Sequence, residues 1–295
     1  MRQVLFTIPG LGVPVYGYGL MLFFAFLGSM HLAARRARSA GLDPEVIHDL
    51  ALWMFVGGLA GARALYVWQY WGTRIQSARE ILEIWKGGIV FYGSVLGGAA
   101  AFFLYWALRR FPLRPVLDAV APALALGIAL GRVGCFLNGC CYGDLCGLPW
   151  GVRFPGVRWF SPAGSPPWSD QVAHGLIDRT AAWSLPVHPT QLYSALDGLV
   201  LLALLSAYYP LRRRDGEVMA LMMVTYPVTR FLIEYLRNDE AVFVAGMTIS
   251  QSISVALLAG GLAFWYGLGR LPRGRFADAA GPADAAEVVA APASR

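Results

Sequence analysis

Charged residues are scarce in this chain of 295 residues: they make up 14% of it, against 57% for hydrophobic residues. Soluble domains carry roughly 25% charged residues, so the composition excludes an ordinary soluble globular protein. The net charge of +6 is spread over short arginine clusters between apolar segments. It forms no continuous basic face, which excludes a typical nucleic-acid-binding protein. Composition therefore predicts a protein that lies in a membrane and has no nucleic-acid partner.

Cysteine is also scarce, and the four cysteines lie within twelve residues of one another, so they cannot cross-link distant parts of the chain. Their C-x4-C-C-x4-C spacing lacks the paired C-x2-C segments of common zinc sites. A disulfide that includes Cys146 and a group of packed free thiols remain as alternatives. We predict no metal and no cofactor. The cysteines are Cys135, Cys140, Cys141 and Cys146.

Long hydrophobic segments are abundant, and a helix needs about 20 apolar residues to cross a bilayer. Four alternate loops, after the first, third, fifth and seventh segments, carry three arginines each. Since such loops stay in the cytoplasm, we predict an all-α integral membrane protein with about seven transmembrane helices. Its N-terminus is outside and its C-terminus is cytoplasmic. The segments are roughly 15–34, 48–70, 88–108, 116–136, 189–210, 217–236 and 247–268.

The loop between spans four and five, about residues 137–188, is the longest connection and is predicted to be periplasmic. Loops of this length are uncommon unless they are functional or disordered. We predict one transmembrane catalytic domain over residues 1–270. Residues 271–295, rich in alanine, proline and aspartate, are expected to form a disordered cytoplasmic tail. Glycines four apart, at 57 and 61, 93 and 97, and 127 and 131, predict close helix packing.

Charged residues inside the spans are costly in a bilayer and usually functional. The cases are Arg63, Arg132, Arg230 and Glu234. Arg230 and Glu234 share a helix face because they are four residues apart, and Arg237 lies one turn further. An ion pair that only locks the helices together is one interpretation. An anionic ligand, such as a phospholipid head group, is the other, because arginine binds phosphate through a planar fork of donors.

Three segments combine glycine or proline with polar residues at the ends of the spans. The first is Gly131-Arg132-Val133-Gly134-Cys135-Phe136-Leu137-Asn138-Gly139-Cys140-Cys141-Tyr142-Gly143, where glycines allow close approach of a ligand to the backbone. The second is His188-Pro189-Thr190-Gln191-Leu192-Tyr193, where a loop enters span five. A third segment, Lys86 to Gly93, precedes span three.

These segments, in this order, resemble the prolipoprotein diacylglyceryl transferase family. The similarity extends from Tyr18-Gly19-Leu20-Met21 to Arg230-Phe231-Leu232-Ile233-Glu234-Tyr235-Leu236-Arg237. The resemblance implies a transferase that moves the diacylglyceryl group of phosphatidylglycerol to a thiol. That thiol belongs to the lipobox cysteine in the signal peptide of a preprolipoprotein. A thioether forms and glycerol phosphate leaves. It also implies a multi-pass protein of the bacterial inner membrane with an active site toward the outer leaflet.

The resemblance and the chemistry together predict the site residues. Arg132 and Arg230 are expected to stabilise the charge that develops on the leaving phosphate. The base that deprotonates the acceptor thiol is left open between Glu234, Tyr92 and His188, and the field of the arginines is a further alternative. The residues expected to bind substrate are Tyr18, Arg132, Asn138, Gly143, Arg230 and Arg237.

Four positions depart from the pattern of the family. Tyr92 stands where well-known members have histidine, which makes a base role there doubtful because tyrosine titrates near 10. Cys135 replaces a frequent asparagine, Cys140 replaces an acidic residue of some members, and Ser194 replaces a glutamate. Two rival functions remain. A secondary transporter would use the same intramembrane arginines and glutamate for its substrate, and a membrane scaffold would need them only for stability.

Overall fold

The computed structural model describes residues 3–10, 12–75, 77–83, 87–88, 90–157, 160–161, 163–237, 242–244, 246–272 and 274. The predicted tail lies outside the described residues from 275 onward. Within them the fold is mostly helical. The helices are α1 (Gly17–Ser39), α2 (Glu45–Tyr70), α3 (Phe91–Arg109), α4 (Leu113–Asn138), α5 (Pro166–Ala173), α6 (Thr190–Tyr208), α7 (Glu217–Glu234) and α8 (Ile249–Gly269).

Each of the seven predicted spans coincides with one of these helices, and α5 is a short addition inside the long loop. Five helices in the described part of the chain are long and apolar enough to cross a membrane: α1, α2, α4, α6 (with its extension to Leu211) and α8. Helix α7 carries three charged residues within its 18 residues, which sets it apart from these five. A multi-pass membrane protein is therefore confirmed, and the count of seven spans stays a prediction.

Two short antiparallel hairpins amend the prediction of a purely helical chain. Strand β1 (Val4–Thr7) pairs with β2 (Pro14–Tyr16), with Val4 opposite Tyr16 and Thr7 opposite Pro14. Strand β3 (Val242–Val244) pairs with β4 (Met247–Thr248). Each hairpin directly precedes a long helix, α1 or α8. The hairpins were not predicted because runs of three or four residues give too little alternation of polarity to be recognised.

The chain forms two compact units, one of residues 34–116 and one of residues 1–33 with 117–295. In the smaller unit, α2 and α3 pack through the predicted glycines. A Cβ atom on Gly61 would collide with the Gly93 carbonyl oxygen, and one on Gly97 would collide with the Gly57 carbonyl oxygen. The Ser94 hydroxyl donates to the Gly58 carbonyl at 3.1 Å. The predicted close packing of these two glycine pairs is confirmed.

Arg63, in α2, is 6% exposed and is satisfied by the segment that follows this helix. Its guanidinium donates to the backbone carbonyls of Ile81 (2.9 Å), Gly87 (2.7 Å), Gly88 (2.8 Å) and Glu80 (2.5 Å). A buried cation whose donors are occupied by backbone carbonyls stabilises the loop around it. The structure therefore assigns Arg63 a role in holding this segment.

In the larger unit, α1 and α6 both run antiparallel to α4. The Ser29 hydroxyl of α1 donates to the Ala123 carbonyl at 2.7 Å, and Gly198 of α6 lies so close to α4 that a Cβ atom there would be 2.9 Å from the Ala129 nitrogen. Gly127 also faces Ser29. Gly131 faces open space, so the helix packing predicted there is wrong. The buried core includes Ala121, Ala125, Leu201, Leu205, Val218 and Met222.

Asp118 of α4 caps the start of α7. Its carboxylate, fully buried, accepts hydrogen bonds from the backbone N–H groups of Gly216 (2.7 Å), Val218 (2.9 Å) and Met219 (3.1 Å). It supplies the acceptor that α7 lacks locally, because Gly216 at the N-cap has no side chain. The carboxylate also lies 3.6 Å from Nε of Arg212.

Helices α4 and α7 run in the same direction from this point, because α6 is antiparallel to α4 and α7 returns beside α6. The Thr229 hydroxyl of α7 donates to Asp197 of α6 at 3.0 Å. Arg132 follows Asp118 by the same number of residues as Arg230 follows Gly216. At 1.5 Å per residue, both arginines therefore lie about 21 Å from the capped end. This parallel pair of helices therefore places Arg132 and Arg230, which are distant in sequence, at the same height along the helix axes.

Candidate functional site

The site lies where α4 and α7 end and α6 begins. Three loop segments join there through backbone hydrogen bonds: the Gly143 N–H donates to the His188 carbonyl (2.9 Å), and the Asp144 N–H donates to the Leu236 carbonyl (2.9 Å). A Cβ atom on Gly143 would lie 2.7 Å from Cβ of His188. Gly143 is therefore required for this close approach, and it is bridged to Arg237 on the other side.

Glu234 holds two arginines at the end of α7. Its Oε2 atom forms an ion pair with Nη1 of Arg230 and lies 3.7 Å from Nε of Arg237. Its Oε1 atom accepts a hydrogen bond from the Thr248 hydroxyl at 3.2 Å. The three charged side chains are 1% (Glu234), 11% (Arg230) and 7% (Arg237) exposed. With both oxygens engaged, Glu234 is better suited to fix the arginines than to accept a proton.

Arg132 differs from these arginines. It is half-buried near the end of α4, and its side chain makes no hydrogen bond or ion pair with any residue that the structure describes. It lies within electrostatic range of the Tyr18 hydroxyl and the Cys141 thiol, and Arg237 acts on the same thiol. Arg132, Arg230 and Arg237 outnumber Glu234 among the buried and half-buried charged side chains here. A half-buried cation without a counter-ion favours an anionic ligand.

Two further predicted substrate-binding residues lie at the same end of α4. Tyr18 opens α1 and packs over Gly134, where an added Cβ atom would be 3.2 Å from its ring. Asn138 is the last residue of α4, and its side-chain oxygen lies 3.5 Å from the Gln3 side-chain nitrogen. The structure thus brings Tyr18, Arg132 and Asn138 together from segments more than a hundred residues apart.

His188 stands at the entrance to α6 with its ring tied to a neighbour. Its Nδ1 atom lies 3.3 Å from the Tyr193 hydroxyl, which accepts a hydrogen bond from the Trp150 indole at 2.9 Å. Tyr193 was not predicted as a site residue, although its place five residues after His188 in the proline-containing motif was the signal for it. Tyr92, the other aromatic base candidate, lies on the first turn of α3 in the smaller unit and is 48% exposed.

The cysteines separate into a group of three and one apart. All four are free. The sulfur atoms of Cys135, Cys140 and Cys141 lie within 4.8 Å of one another, whereas Cys146 is buried and outside this group. Hydrogen bonds from Cys135 and Cys140 lower the pKa of the Cys141 thiol, and the positive charges of Arg132 and Arg237 act in the same direction. The structure therefore favours free thiols over the disulfide that would include Cys146.

Thr190 and Gln191 fix the backbone of two of these cysteines. The Thr190 hydroxyl donates to the Cys141 carbonyl at 2.7 Å, and the Gln191 amide donates to the Cys140 carbonyl at 2.7 Å. Both side chains are buried at the start of α6. Sequence reasoning noted Thr190 and Gln191 only as part of the segment where a loop enters span five. No local pattern shows that the two side chains would bond to a segment about fifty residues earlier.

Comparison with known proteins gives one family. The family model described as prolipoprotein diacylglyceryl transferase matches residues 3–267. Three curated relatives carry the name phosphatidylglycerol–prolipoprotein diacylglyceryl transferase. The protein from Clostridium tetani is 32% identical over 86% of this chain and 93% of its own length. The protein from Synechococcus elongatus is 34% identical over 90% of each chain. The protein from Thermus thermophilus is 36% identical over 87% of this chain and 94% of its own.

Proposed function

The chain belongs to the prolipoprotein diacylglyceryl transferase family, and we propose that it transfers diacylglyceryl from phosphatidylglycerol to the lipobox cysteine of preprolipoproteins. A carbon–sulfur bond forms at the glyceryl carbon, the carbon–oxygen bond to phosphate breaks, and glycerol phosphate leaves. The observation that carries this proposal is Arg132, a half-buried cation without a counter-ion among the described residues, beside the arginine pair held by Glu234.

The positive charge of this region matches the charge that the reaction creates. The phosphate of phosphatidylglycerol carries one negative charge, and the leaving glycerol phosphate approaches two as the carbon–oxygen bond breaks. An excess of arginines over carboxylates among the buried side chains of the site stabilises the second state more than the first. In this proposal Arg132 contacts the leaving phosphate directly. Glu234 holds Arg230 and Arg237 in place for the same purpose, and Tyr18 and Asn138 bind the head group.

The two ends of α7 support an orientation of the protein in the membrane. Its start adjoins Arg212, Arg213 and Arg214, a basic cluster of the kind that stays in the cytoplasm. The arginine site is about 21 Å further along the helix, in a hydrocarbon layer about 30 Å thick. This supports seven spans, an N-terminus outside and a site toward the outer leaflet of the bacterial inner membrane. The loop of residues 137–188 would then meet the signal peptide on the outside.

The transporter interpretation is not favoured, because the matched relatives are named as transferases over almost the whole chain. The test is direct. Purified protein is mixed with phosphatidylglycerol and a lipobox peptide, and mass spectrometry follows the diacylglyceryl thioether. We expect product with wild type and none with a peptide whose cysteine is changed to serine.

A matched pair of arginine variants makes this test specific. Arg132→Ala removes the cation that has no counter-ion among the described residues, and Arg153→Ala removes an exposed arginine of the long loop. We expect Arg132→Ala to lose activity while Arg153→Ala keeps it. Equal activity of all three proteins would contradict the proposed role of Arg132. Absence of product from folded wild type with phosphatidylglycerol would contradict the function.

A further inference from the structure

Three thiols lie close enough together to share one metal ion. The sulfur atoms of Cys135, Cys140 and Cys141 are all within 4.8 Å of one another. Zinc–sulfur bonds of about 2.3 Å in tetrahedral geometry place sulfurs roughly 3.8 Å apart. Closing the difference requires only small side-chain rotations. All three side chains are half-buried, so an ion can reach them.

The chain reversal after α4 creates this proximity. Gly139 and Cys141 both have positive φ, at 72° and 58°, and side-chain-bearing residues seldom adopt this conformation. The reversal directs the Cys140 N–H back to the Cys135 carbonyl at 3.2 Å. Two consecutive cysteines are thereby returned to the helix end that carries the third. A non-glycine residue held in the left-handed region is a feature typical of functional sites.

The reversal is fixed from outside by the start of α6. Thr190 and Gln191, both buried, donate to the carbonyls of Cys141 and Cys140 at 2.7 Å each. The backbone that carries the thiols is therefore set by contacts that need no metal. Such preorganisation by neighbouring hydrogen bonds is what metal sites require of the groups around their ligands.

We propose that Cys135, Cys140 and Cys141 bind a zinc ion as three thiolates, with the fourth position open for the acceptor thiol of the peptide. Three protein ligands and one open position are the arrangement of catalytic zinc, whereas structural zinc sites have four protein ligands. Thiolates select zinc over magnesium or calcium. The fourth cysteine, Cys146, is buried outside the group and is not a ligand.

The charges around the group suit this complex. Three thiolates and one zinc ion carry a net charge of −1, and a bound acceptor thiolate makes it −2. The charged and titratable groups that act on the thiols are Tyr18 from α1, Arg132 from α4 and Arg237 after α7. Two of the three are cations, which attract both the thiolates and a bound phosphate. Arg132 precedes Cys135 by three residues, which places the phosphate-binding cation and the zinc ligand on one helix face.

The role of the ion rests on the proposed transferase function. The acceptor thiol binds zinc as a thiolate, its S–H bond breaks and the proton passes to water, because a coordinating thiol is deprotonated. The thiolate sulfur then forms the bond to the glyceryl carbon, and the electron pair of the broken carbon–oxygen bond leaves with glycerol phosphate. This supplies the deprotonation for which Glu234, with both oxygens engaged, is poorly suited.

The spacing of the cysteines predicted no metal because it lacks C-x2-C pairs. Such pairs bring two sulfurs together within a single turn, whereas here the left-handed conformation of Gly139 and Cys141 does so. The spacing of the cysteines along the sequence does not show this reversal. The structure therefore leads us to propose a zinc site where the sequence predicted no metal.

Direct binding is the first test. Reduced, metal-free protein is titrated with Zn²⁺, and with Cd²⁺ as a probe whose sulfur-to-metal charge transfer is seen in the ultraviolet. We expect one ion per chain for wild type and for the matched control Cys146→Ser, and at least tenfold weaker binding for Cys135→Ser and Cys140→Ser. Circular dichroism checks that each variant is folded. Equal binding by all four proteins, or loss only in Cys146→Ser, would overturn the site.

The pH dependence of transfer tests the role. A free acceptor thiol with a pKa near ~8.5 is roughly 3% thiolate at pH 7 and about half thiolate at pH 8.5. Zinc-loaded protein should therefore exceed stripped protein by up to about thirtyfold at pH 7 and by about twofold at pH 8.5. If zinc-loaded and stripped protein have equal rates at each of the two pH values, the acceptor role is overturned and the transferase function still stands. No product from either form would overturn the transferase function and the acceptor role with it.

Discussion

The two ends of α7 differ in how their charges are balanced. At its start, two carboxylates each pair with an arginine and also accept hydrogen bonds from backbone N–H groups. At its end, one glutamate pairs with two arginines of its own segment, and Arg132 from α4 acts on the Cys141 thiol together with one of these two, Arg237. The pairs at the start are Asp118 with Arg212 and Glu217 with Arg214.

This difference distinguishes charges that hold the helices together from a charge that is available to a ligand. Buried charges that lie beside a counter-charge hold helices in register, as Asp118 does when it caps α7 from a neighbouring helix. An uncompensated cation is costly in a membrane unless a ligand supplies the missing charge. Arg63 belongs with the first kind, because four backbone carbonyls occupy its guanidinium. The second kind is found at the end of α7, where we propose that the substrate binds.

The largest effect is expected from Arg132→Ala. Loss of a preorganised donor to the developing charge should lower kcat/KM by about 10²–10³-fold, in line with the removal of a single oxyanion-stabilising group. The melting temperature should change little, since Arg132 makes no hydrogen bond or ion pair with a described residue. Steady-state transfer kinetics and a thermal melt measure both. A variant that melts much lower, with the activity of its folded fraction intact, would place Arg132 among the structural charges.

Glu234→Gln should disturb both stability and activity. Removal of one partner from a buried ion pair costs about 3–5 kcal/mol, and here two arginines lose their shared counter-ion. We expect a lower melting temperature and a loss of transfer of at least tenfold. Glycerol phosphate should raise the melting temperature of this variant more than that of wild type, because it supplies negative charge. A variant with wild-type stability would contradict the role of Glu234 as the counter-ion of these two arginines.

Asp118→Asn should affect stability alone. The neutral amide keeps one acceptor, but it loses the charge that faces Arg212 and part of the cap on α7. We expect destabilisation of about 2 kcal/mol from the weakened charged hydrogen bonds. The activity of the folded protein should be unchanged, because the site is about 21 Å away. Denaturant unfolding and a transfer assay below the transition test this, with the exposed Asp178→Asn as a control. A lower kcat in folded Asp118→Asn would contradict the separation of the two ends.

The smallest effect is expected from Thr248→Val. Thr248 caps α8 in a reciprocal arrangement with Gln251, and its hydroxyl also donates to Glu234. Loss of the cap should cost about 1 kcal/mol, and a less restrained Glu234 should lower transfer a few-fold. Thermal melts and initial rates measure the two effects. Ser252→Ala, which removes a hydroxyl of the same helix bonded only to a backbone carbonyl, provides the matched control and should leave the rate unchanged.

Much of the architecture could be predicted because hydrophobic length is a local property. All seven predicted segments correspond to helices, and the glycine pairs of α2 and α3 pack as expected. Gly131 shows the limit of such reasoning, since the same spacing leads there to open space. A four-residue interval fixes the face of a helix on which two glycines lie, but not whether another helix packs against that face.

The charged residues of the candidate site could be predicted from the sequence, but the contacts that join distant segments around it could not. Arg132, Arg230 and Glu234 stood out because charge inside an apolar span is unusual. The cap that Asp118 places on α7 joins residues about a hundred apart, and the bond of Gln191 to Cys140 spans 51 residues. These contacts depend on how helices pair in space, and no periodicity of one segment contains that information.

The central claim is that the end of α7 binds an anion and its start does not. The most direct measurement is the binding of glycerol phosphate to purified wild type, Arg132→Ala and Asp118→Asn by isothermal titration calorimetry, without the peptide. We predict binding by wild type and by Asp118→Asn with equal affinity, and a loss of at least tenfold in Arg132→Ala. Binding that survives in Arg132→Ala and is lost in folded Asp118→Asn would contradict the account.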